Sequence, residues 1–440
     1  MKRTIDAKLV EWKTSRFRKP LIIRGARQVG KTYSVTRFGR TRFDTFLSID
    51  FERDRSIHQI FEQDLSADRL IMELEVWFNT RIVPGTTLLF FDEIQECPRA
   101  VLSLRYFYEE QPDLHIIAAG SMLEFTLGEI SFPVGRVSFE WMRPMTFYEF
   151  LNAVDLHLLA EKLPHVFDEE PVPVSPAIHN RLIEQLKRYL VTGGMPEAVE
   201  RYRQTGSLVQ STVVHEEIFQ SYLQSLVKYN KRADVDSLDH LMRSLPRHVG
   251  SQIKYTRLAP DQRIEKTKTS LDILEKALIV QTVTAAGAAG LPLNVHVSAK
   301  RIKPLFLDVG LMQYVCGIDP AEILADKDLS LIYRGALAEQ LVGQELLAAG
   351  GSENEKLFYW ARNRKSSNAE VDYLAVHQGS VFPIEVKSGP AGRLKSLHLF
   401  LAEHPQVDKG IVMSHAGHEC QRTGKLLFLP IYARFKGFPA

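Results

Sequence analysis

The octapeptide GARQVGKT at residues 25–32 constrains this chain more than any other feature of its sequence. It matches the pattern G-x-x-x-x-G-K-[ST], and it lies between an apolar run and a helix-compatible segment. Glycines let such a loop turn its backbone N–H groups inward, toward anionic oxygens. Lys31 can then reach the β- and γ-phosphates, and the Thr32 hydroxyl can ligate Mg²⁺. The sequence predicts a nucleoside triphosphate site composed of Gly25, Ala26, Arg27, Gln28, Val29, Gly30, Lys31, Thr32 and Tyr33.

Composition and charge exclude several classes of protein. The 440 residues are 45% hydrophobic and 25% charged, which is typical of a globular chain, and the net charge is only +2. Any binding to nucleic acid must therefore come from local patches. Cys97, Cys316 and Cys420 are odd in number and far apart, which argues against a disulfide framework or a Cys-rich zinc module. With no signal-peptide core and no long apolar run, we expect a cytoplasmic protein without a membrane partner.

Short apolar runs alternate with amphipathic segments in the first third of the chain. The runs are residues 20–23, 46–49, 88–91 and 115–119, and the amphipathic segments include 67–79 and 99–110. Apolar strands separated by helices indicate a parallel sheet that is covered on both faces. We therefore predict an α/β protein in which residues 1–160 form a three-layer domain.

Two acids end the third apolar run, in LLFFDE at residues 88–93. Buried carboxylates need compensation, and the carboxyl edge of a parallel sheet, where ligands bind, supplies it. We predict that Asp92 holds Mg²⁺ through its water shell and that Glu93 polarises the attacking water.

Two further residues are predicted at the same edge. Ser121 follows the fourth run, where it would lie between the two motifs and sense the γ-phosphate or hold the water; a simple turn is the alternative. Arg136 is predicted to reach the γ-phosphate, either within its own chain or from a neighbouring one. The alternative for Arg136 is an ordinary surface arginine.

Several motifs together resemble one family. RGARQVGKT, FFDEIQECP, AAGS and RPMTFYEF resemble the AAA+-type P-loop ATPases of a prokaryotic two-part family, which join the ATPase to a C-terminal domain of unknown function with a nuclease-like fold. RYLVTGGMPEAV, LFLDVGLMQYV and RGALAEQLVGQEL continue this resemblance in order. It implies ATP binding at residues 25–32, hydrolysis supported by Asp92 and Glu93, and a ring-like homo-oligomer. It also implies a helical lid over residues 177–245. The sequence itself predicts that Gly193-Gly194 breaks one helix and that Pro196 starts the next, and a plain helix–helix turn is the alternative to a lid. Ser121 departs from the asparagine that many AAA+ proteins carry.

A basic stretch follows the predicted lid. A helix at residues 269–279 and strands at 280–284 and 293–297 predict a winged-helix module within 246–315. Residues 250–303 carry nine basic and only four acidic side chains. The basic residues are Lys254, Arg257, Arg263, Lys266, Lys268, Lys276, Lys300, Arg301 and Lys303. They are predicted to contact a phosphate backbone. Asp272 and Glu275 on the would-be recognition helix weaken that interpretation, and a protein-contact module is the alternative.

The region 325–440 contains a second group of charged residues. Helix 334–349, a hairpin of strands 370–376 and 381–388, helix 391–403 and strand 410–414 are predicted in that order. Since side chains alternate along a strand, Glu385 and Lys387 share one face, and Asp372 can lie beside them. Glu339 comes from the preceding helix.

These residues are typical of metal-dependent phosphodiester cleavage. Asp372 and Glu385 would ligate Mg²⁺ or Mn²⁺, Lys387 would orient water, and Glu339 could position metal or water. The D-x12-E-x-K spacing and the element order resemble the restriction-endonuclease-like PD-(D/E)XK superfamily, with Val371 where proline often stands. The alternative is an amphipathic hairpin with a cross-strand ion pair.

The sequence thus favours an ATP-hydrolysing ATPase coupled to a nuclease-like domain and acting on DNA. One alternative is an ATP-dependent switch that acts on protein partners, with an inactive nuclease-like domain. A second is a small-molecule enzyme that uses the loop for phosphoryl transfer.

Overall fold

A computed structural model describes residues 1–121, 123, 125, 133, 135–229, 234–287, 290–293, 297–325, 334–350, 356–362, 369–387, 394–415 and 418–435. The chain divides into two compact units, Met1–Arg143 and Pro144–Ala440. Parts of two predicted strands (residues 294–296 and 388) and the start of a predicted helix (391–393) lie outside the described residues.

A five-stranded sheet forms the centre of the first unit. Its strands are β1 (Leu21–Arg24), β2 (Thr45–Asp50), β3 (Thr87–Asp92), β4 (His115–Gly120) and β5 (Ser138–Trp141). They run in the order β2-β3-β4-β1-β5, and all neighbours are parallel. The first four strands coincide with the four apolar runs, which confirms the predicted parallel sheet. β5 was not predicted, because only half-buried and exposed residues form it.

Helices cover this sheet. They are α1 (Ile5–Thr14), α2 (Lys31–Arg42), α3 (His58–Glu62), α4 (Ala67–Phe78) and α5 (Pro98–Glu110), with short 3-10 turns at Arg55–Ile57 and Ile94–Glu96. Every residue of β3 is buried, and Phe91 packs edge-on against Phe61 and Phe107 from two of the helices. In this strand order β4 lies between β1 and β3. Because the three strands are parallel, the loop after β1 and the acids that end β3 share one sheet edge.

The second unit contains helices before and between its strands. They are α6 (Phe147–Ala153), α7 (His157–Ala160), α8 (Pro176–Thr192), α9 (Pro196–Thr205), α10 (Leu208–Tyr229), α11 (Val235–Ser244), α12 (Tyr255–Leu258), α13 (Ile264–Lys276), α14 (Val309–Cys316), α15 (Pro320–Ala325), α16 (Arg334–Ala349) and α17 (Lys395–Glu403), with a 3-10 turn at Leu245–His248. α8 ends at Thr192 and α9 begins at Pro196, so the predicted Gly-Gly break is confirmed. A Cβ on Gly193 would lie 2.1 Å from an Asp308 oxygen, which explains the need for glycine there. Within the described ranges, no helix has the length and apolar character needed to span a membrane.

An eight-stranded mixed sheet completes the second unit. Its strands are β6 (Val280–Ala286), β7 (Val297–Phe306), β8 (Phe358–Ala361), β9 (Glu370–His377), β10 (Ser380–Lys387), β11 (Gly410–Ser414), β12 (Arg422–Thr423) and β13 (Leu426–Pro430), in the order β12-β13-β11-β10-β9-β8-β6-β7. The hairpin predicted as a wing is β6-β7, but its second strand begins where the predicted one ends. β6 also pairs in parallel with β8, so this hairpin continues the sheet that contains the predicted nuclease-like strands. The apolar residues that suggested a wing, such as Val280 and Val283, are buried in this sheet.

Glu345 on α16 is a buried acid within the second unit. One of its carboxylate oxygens accepts a hydrogen bond from the Phe147 backbone N–H at 2.7 Å. Burial raises the pKa of Glu345 from 4.5 to about 8, and the nearby charge of Glu149 adds to this effect. The folded protein therefore holds a proton on Glu345 at pH values where the unfolded chain has released it.

We expect this proton to make stability depend on pH. A carboxyl group whose folded pKa is raised stabilises the fold below the unfolded pKa, and this contribution is lost as pH rises toward 8. Glu345→Gln should remove that dependence and raise the free energy of unfolding above pH 8 by about 1–4 kcal/mol. Denaturant unfolding of wild type and variant at about pH 6 and about pH 9 measures the difference. Glu197→Gln, at an exposed position, is the control. An unchanged pH profile in Glu345→Gln would contradict this role.

Candidate functional site

The loop at residues 25–32 follows β1. The backbone conformation of its first residue, Gly25, is one that only glycine readily adopts. Gly25 has φ +155°, and a Cβ there would lie 2.2 Å from the Met142 carbonyl oxygen. Gly30 is left-handed, with φ 95°, and α2 begins at the next residue. The first N–H groups of a helix have no intrahelical partner and attract anions. The loop geometry therefore suits a phosphate group.

An N-terminal arginine, which the sequence analysis missed, supports this loop from outside. The Arg3 guanidinium donates to the Val29 carbonyl at 2.9 Å and to the Arg143 carbonyl at 2.6 Å. Arginine donors lie in a rigid planar fork, so Arg3 fixes the position of the loop relative to the segment after β5. One arginine near the chain start gives no sequence signal for such a contact.

Lys31 is the buried cation of the site. Its ammonium donates to the carbonyls of Gly25 at 2.9 Å and Ala26 at 2.8 Å, so the side chain folds back over the loop. Burial lowers the pKa of Lys31 to about 8, although the charges of Glu93 and Asp92 counteract part of this effect. An anion bound in the loop would stabilise the charged form of Lys31, which burial disfavours.

Asp92 ends β3 opposite the loop. Burial is the main reason why its pKa rises to about 6, the charge of Glu93 adds to this, and a hydrogen bond from the Thr32 hydroxyl opposes it. Asp50, missed by the sequence analysis, ends the neighbouring strand at the same level as Asp92. A hydroxyl beside a carboxylate is the oxygen donor set that Mg²⁺ prefers, so Thr32 and Asp92 fit a nucleotide-bound magnesium ion.

Glu93 lies next to Asp92 in a strained conformation. Its backbone is left-handed, with φ 46° and ψ 45°, which is uncommon for a residue with a side chain and typical of functional sites. One carboxylate oxygen of Glu93 accepts hydrogen bonds from the Gln95 amide at 2.5 Å and from the Ser121 hydroxyl at 3.3 Å. Ser121 thus lies between the two motifs, at the end of β4. Gln95 lies in the FFDEIQECP motif, but nothing in its spacing had singled it out.

Arg136 lies away from the loop at residues 25–32 of its own chain. It precedes β5, whose first residue, Ser138, pairs with the first residue of β1, Leu21. The loop begins after the other end of β1. At roughly 3.3 Å per residue, the start of the loop lies about 13 Å from Leu21. The Arg136 guanidinium donates instead to Glu109 at 3.2 Å. The structure therefore does not bring Arg136 to the loop of the same chain.

The remaining predicted residues of the loop have different surroundings. Val29 is fully buried, Gln28 is exposed, and Arg27 pairs with Glu52 at 3.5 Å. Tyr33 is 56% exposed on α2, with its hydroxyl 3.2 Å from the amino terminus of the chain.

In the second unit, the hairpin residues lie as strand alternation predicts. Glu385 and Lys387 share a face of β10, with an oxygen–nitrogen distance of 2.5 Å. An Asp372 oxygen accepts a hydrogen bond from the Val386 N–H at 2.8 Å, which places Asp372 beside them. Glu339 on α16 joins the same group through its contact with a lysine from β7.

That lysine is Lys303, which the sequence analysis assigned to the phosphate-contacting surface. Lys303 is only 2% exposed. Its ammonium lies 3.3 Å from Glu339 and 3.9 Å from Asp372, and it also pairs closely with Glu370. The surface role predicted for Lys303 is therefore wrong, because the fold buries this residue among acids. We call Lys303, Glu339, Glu370 and Asp372 the carboxylate cluster.

The predicted metal ligands Asp372, Glu385 and Glu339 lie close to one another and to the Lys303 ammonium. Burial and the charge of Asp372 raise the pKa of Glu339 to about 8 and that of Glu385 to about 7. Lys303 already places a positive charge among these groups. Among the residues that the structure describes, no group of three or more His, Cys, Asp or Glu side chains has the arrangement to hold a metal ion.

Other basic residues of the 250–303 stretch are at the surface. Six of them are exposed: Lys254, Arg257, Arg263, Lys266, Lys268 and Lys276. Lys266 pairs with Asp234 at 2.6 Å and Lys276 with Asp272 at 2.7 Å, so acids neutralise part of this charge.

Comparisons with known proteins match each part of the chain separately. Residues 17–151 match a family model described as an AAA domain. Residues 183–322 and 334–433 match two models described as domains of unknown function, DUF8612 and DUF4143. No curated protein matches the chain.

Solved structures show only distant likenesses. The Walker-type ATPase PABY2304 of Pyrococcus abyssi is 14% identical, with a TM-score of 0.42, over 72% of this chain and 95% of that one. A structure of Drosophila ORC bound to DNA is 11% identical, with a TM-score of 0.27, over 71% and 94%. C. elegans PCH-2 is 11% identical, with a TM-score of 0.26, over 46% and 61%.

The AAA match spans the β1 loop, the acids of β3 and the end of β4, which are the residues that the parallel sheet brings to one edge. Residues 17–151 thus have the parallel sheet of a P-loop NTPase fold and are similar to AAA domains, and they are followed by two regions that match domains of unknown function.

Proposed function

We propose that this protein binds and hydrolyses Mg²⁺·ATP at residues 25–32 and acts as a nucleotide-dependent switch. The observation that carries the proposal is the placement of Lys31 beside the loop carbonyls, with the charges of Asp92 and Glu93 near enough to influence its pKa. A buried ammonium, free helix N–H groups and paired acids are what phosphoryl transfer needs, because its catalysis consists mainly of positioning and charge stabilisation.

Each residue then has a specific role. Lys31 exchanges its bonds to the loop carbonyls for bonds to phosphate oxygens. Thr32 and Asp92 hold the magnesium ion, which neutralises charge on the phosphates when bound. One Glu93 oxygen accepts the proton of the attacking water, while Gln95 and Ser121 hold the carboxylate in position.

Arg136 is proposed to act only between chains. Because its own loop lies at the opposite end of β1, any role of Arg136 toward a nucleotide requires a neighbouring copy and therefore a homo-oligomer. Its pairing with Glu109 supports the alternative of a surface arginine.

DNA is the candidate partner that a specific observation favours. Six exposed basic side chains around α12 and α13 could neutralise phosphates, although at least two of them are paired with acids. The competing proposal is a protein partner, for which the second unit would serve as a binding platform.

Steady-state hydrolysis tests the proposal. We expect Mg²⁺-dependent release of ADP and phosphate, with no phosphorylated metabolite formed. If DNA is the partner, duplex DNA should stimulate this rate at low salt, and the stimulation should disappear at high salt because phosphate contacts release counterions. A rate indifferent to DNA would favour the protein partner. Absence of both ATP binding and turnover in the folded protein would overturn the proposal.

A further inference from the structure

The carboxylate cluster contains its own cation. Lys303 is held on β7, an edge strand whose partner β6 continues into the rest of the sheet. At 2% exposure its ammonium is removed from water, which is costly unless acids compensate for the charge. Glu339, Glu370 and Asp372 provide three such acids around a group that has three donors.

Several oxygens of Asp372 and Glu370 already face a polar partner within the fold. Asp372 has one oxygen toward Lys303, and its other oxygen accepts the Val386 N–H. One Glu370 oxygen pairs with Lys303, and the other accepts from the Gln252 amide at 3.2 Å. Mg²⁺ or Mn²⁺ would need several of these oxygens at about 2.0–2.2 Å, where the ammonium would repel it.

Glu385 and Lys387 form an ion pair beside the carboxylate cluster. One Glu385 oxygen lies 2.5 Å from the Lys387 ammonium, and the other is buried without a hydrogen-bond partner in the described part of the chain. The charges of Lys387 and Lys303 both act on Glu385 and would repel a divalent cation at its remaining oxygen.

We propose that the Lys303 ammonium is the resident cation of the carboxylate cluster and takes the position that a catalytic divalent metal would occupy. The second unit then holds a charge-compensated core where the sequence pattern suggests a nuclease centre, and it does not cleave phosphodiesters with Mg²⁺ or Mn²⁺. This inference depends on the second unit alone, so it stands whether or not residues 25–32 hydrolyse ATP.

Manganese binding tests this inference directly. Mn²⁺ is titrated into the full chain without nucleotide, and bound ion is measured by electron paramagnetic resonance. We expect wild type to show no saturable binding at the cluster. Lys303→Met, which keeps the apolar stem and removes the charge, should bind one Mn²⁺ at least about tenfold more tightly than wild type. Adding Asp372→Asn to Lys303→Met should abolish that binding.

Two controls separate the cluster from other sites. Lys162→Met removes an exposed lysine of the same unit, to which no role is assigned, and should leave Mn²⁺ binding as in wild type. Asp92→Asn reports any ion held in the first unit.

If Lys303→Met does not fold, wild type and Asp372→Asn decide the question. Equal absence of binding in both supports the inference. One Mn²⁺ bound by wild type and lost in Asp372→Asn would overturn it, as would equal Mn²⁺ affinity of wild type and folded Lys303→Met.

Discussion

Replacing Lys31 by methionine should weaken ATP binding by at least about 100-fold and abolish hydrolysis. Charge-assisted hydrogen bonds contribute about 1.5–3 kcal/mol each, so the loss of two such bonds to phosphate oxygens accounts for this factor. Methionine retains most of the apolar stem, so the packing under the loop is kept. Equilibrium titration with a fluorescent ATP analogue measures the binding, and phosphate release measures the hydrolysis.

Arg40→Met is the matched control for Lys31→Met. Arg40 is exposed in the last turn of the same helix, α2, and no role in the site is assigned to it. It should bind ATP as wild type does. Wild-type affinity in folded Lys31→Met would show that the triphosphate binds elsewhere.

Glu93→Gln should keep ATP binding and slow hydrolysis by about 100- to 1000-fold, because general-base catalysis contributes factors of this order. The amide retains the shape of the carboxylate but cannot accept the proton of the attacking water. Single-turnover hydrolysis measures the chemical step, and the titration used for Lys31→Met measures binding.

Glu96→Gln is the control for Glu93→Gln. Glu96 lies in the 3-10 turn that follows Glu93, and its carboxylate pairs with Arg55 at 3.7 Å. It should hydrolyse ATP at the wild-type rate. If Glu93→Gln also turns over normally, another group activates the water.

The sequence predicted the central strands of the first unit because burial on both faces leaves an unmistakable apolar run. β3 shows this most clearly, since all six of its residues are buried. The acids after it could be placed as well, because parallel strands end at one edge. β5 escaped prediction because its residues are half-buried or exposed.

Apolar runs and motif spacing could not identify residues that act through tertiary contacts. Arg3, Gln95 and Lys303 each contact groups distant in sequence or off any recognised spacing. A count of basic residues treats Lys303 like the exposed Lys254, and only the pairing of β6 with β7 and β8 reveals that Lys303 is buried. Likewise, only the register of β5 against β1 reveals that Arg136 lies away from the loop of its own chain.

A structure of Glu93→Gln with Mg²⁺·ATP would show where the triphosphate binds. We expect the β- and γ-phosphates within the loop at residues 25–32, with the Lys31 ammonium moved from the Gly25 and Ala26 carbonyls to phosphate oxygens. The magnesium ion should lie between Thr32 and Asp92. A triphosphate bound away from this loop, or a Lys31 that keeps its bonds to the carbonyls while nucleotide is bound, would overturn the proposed ATP site.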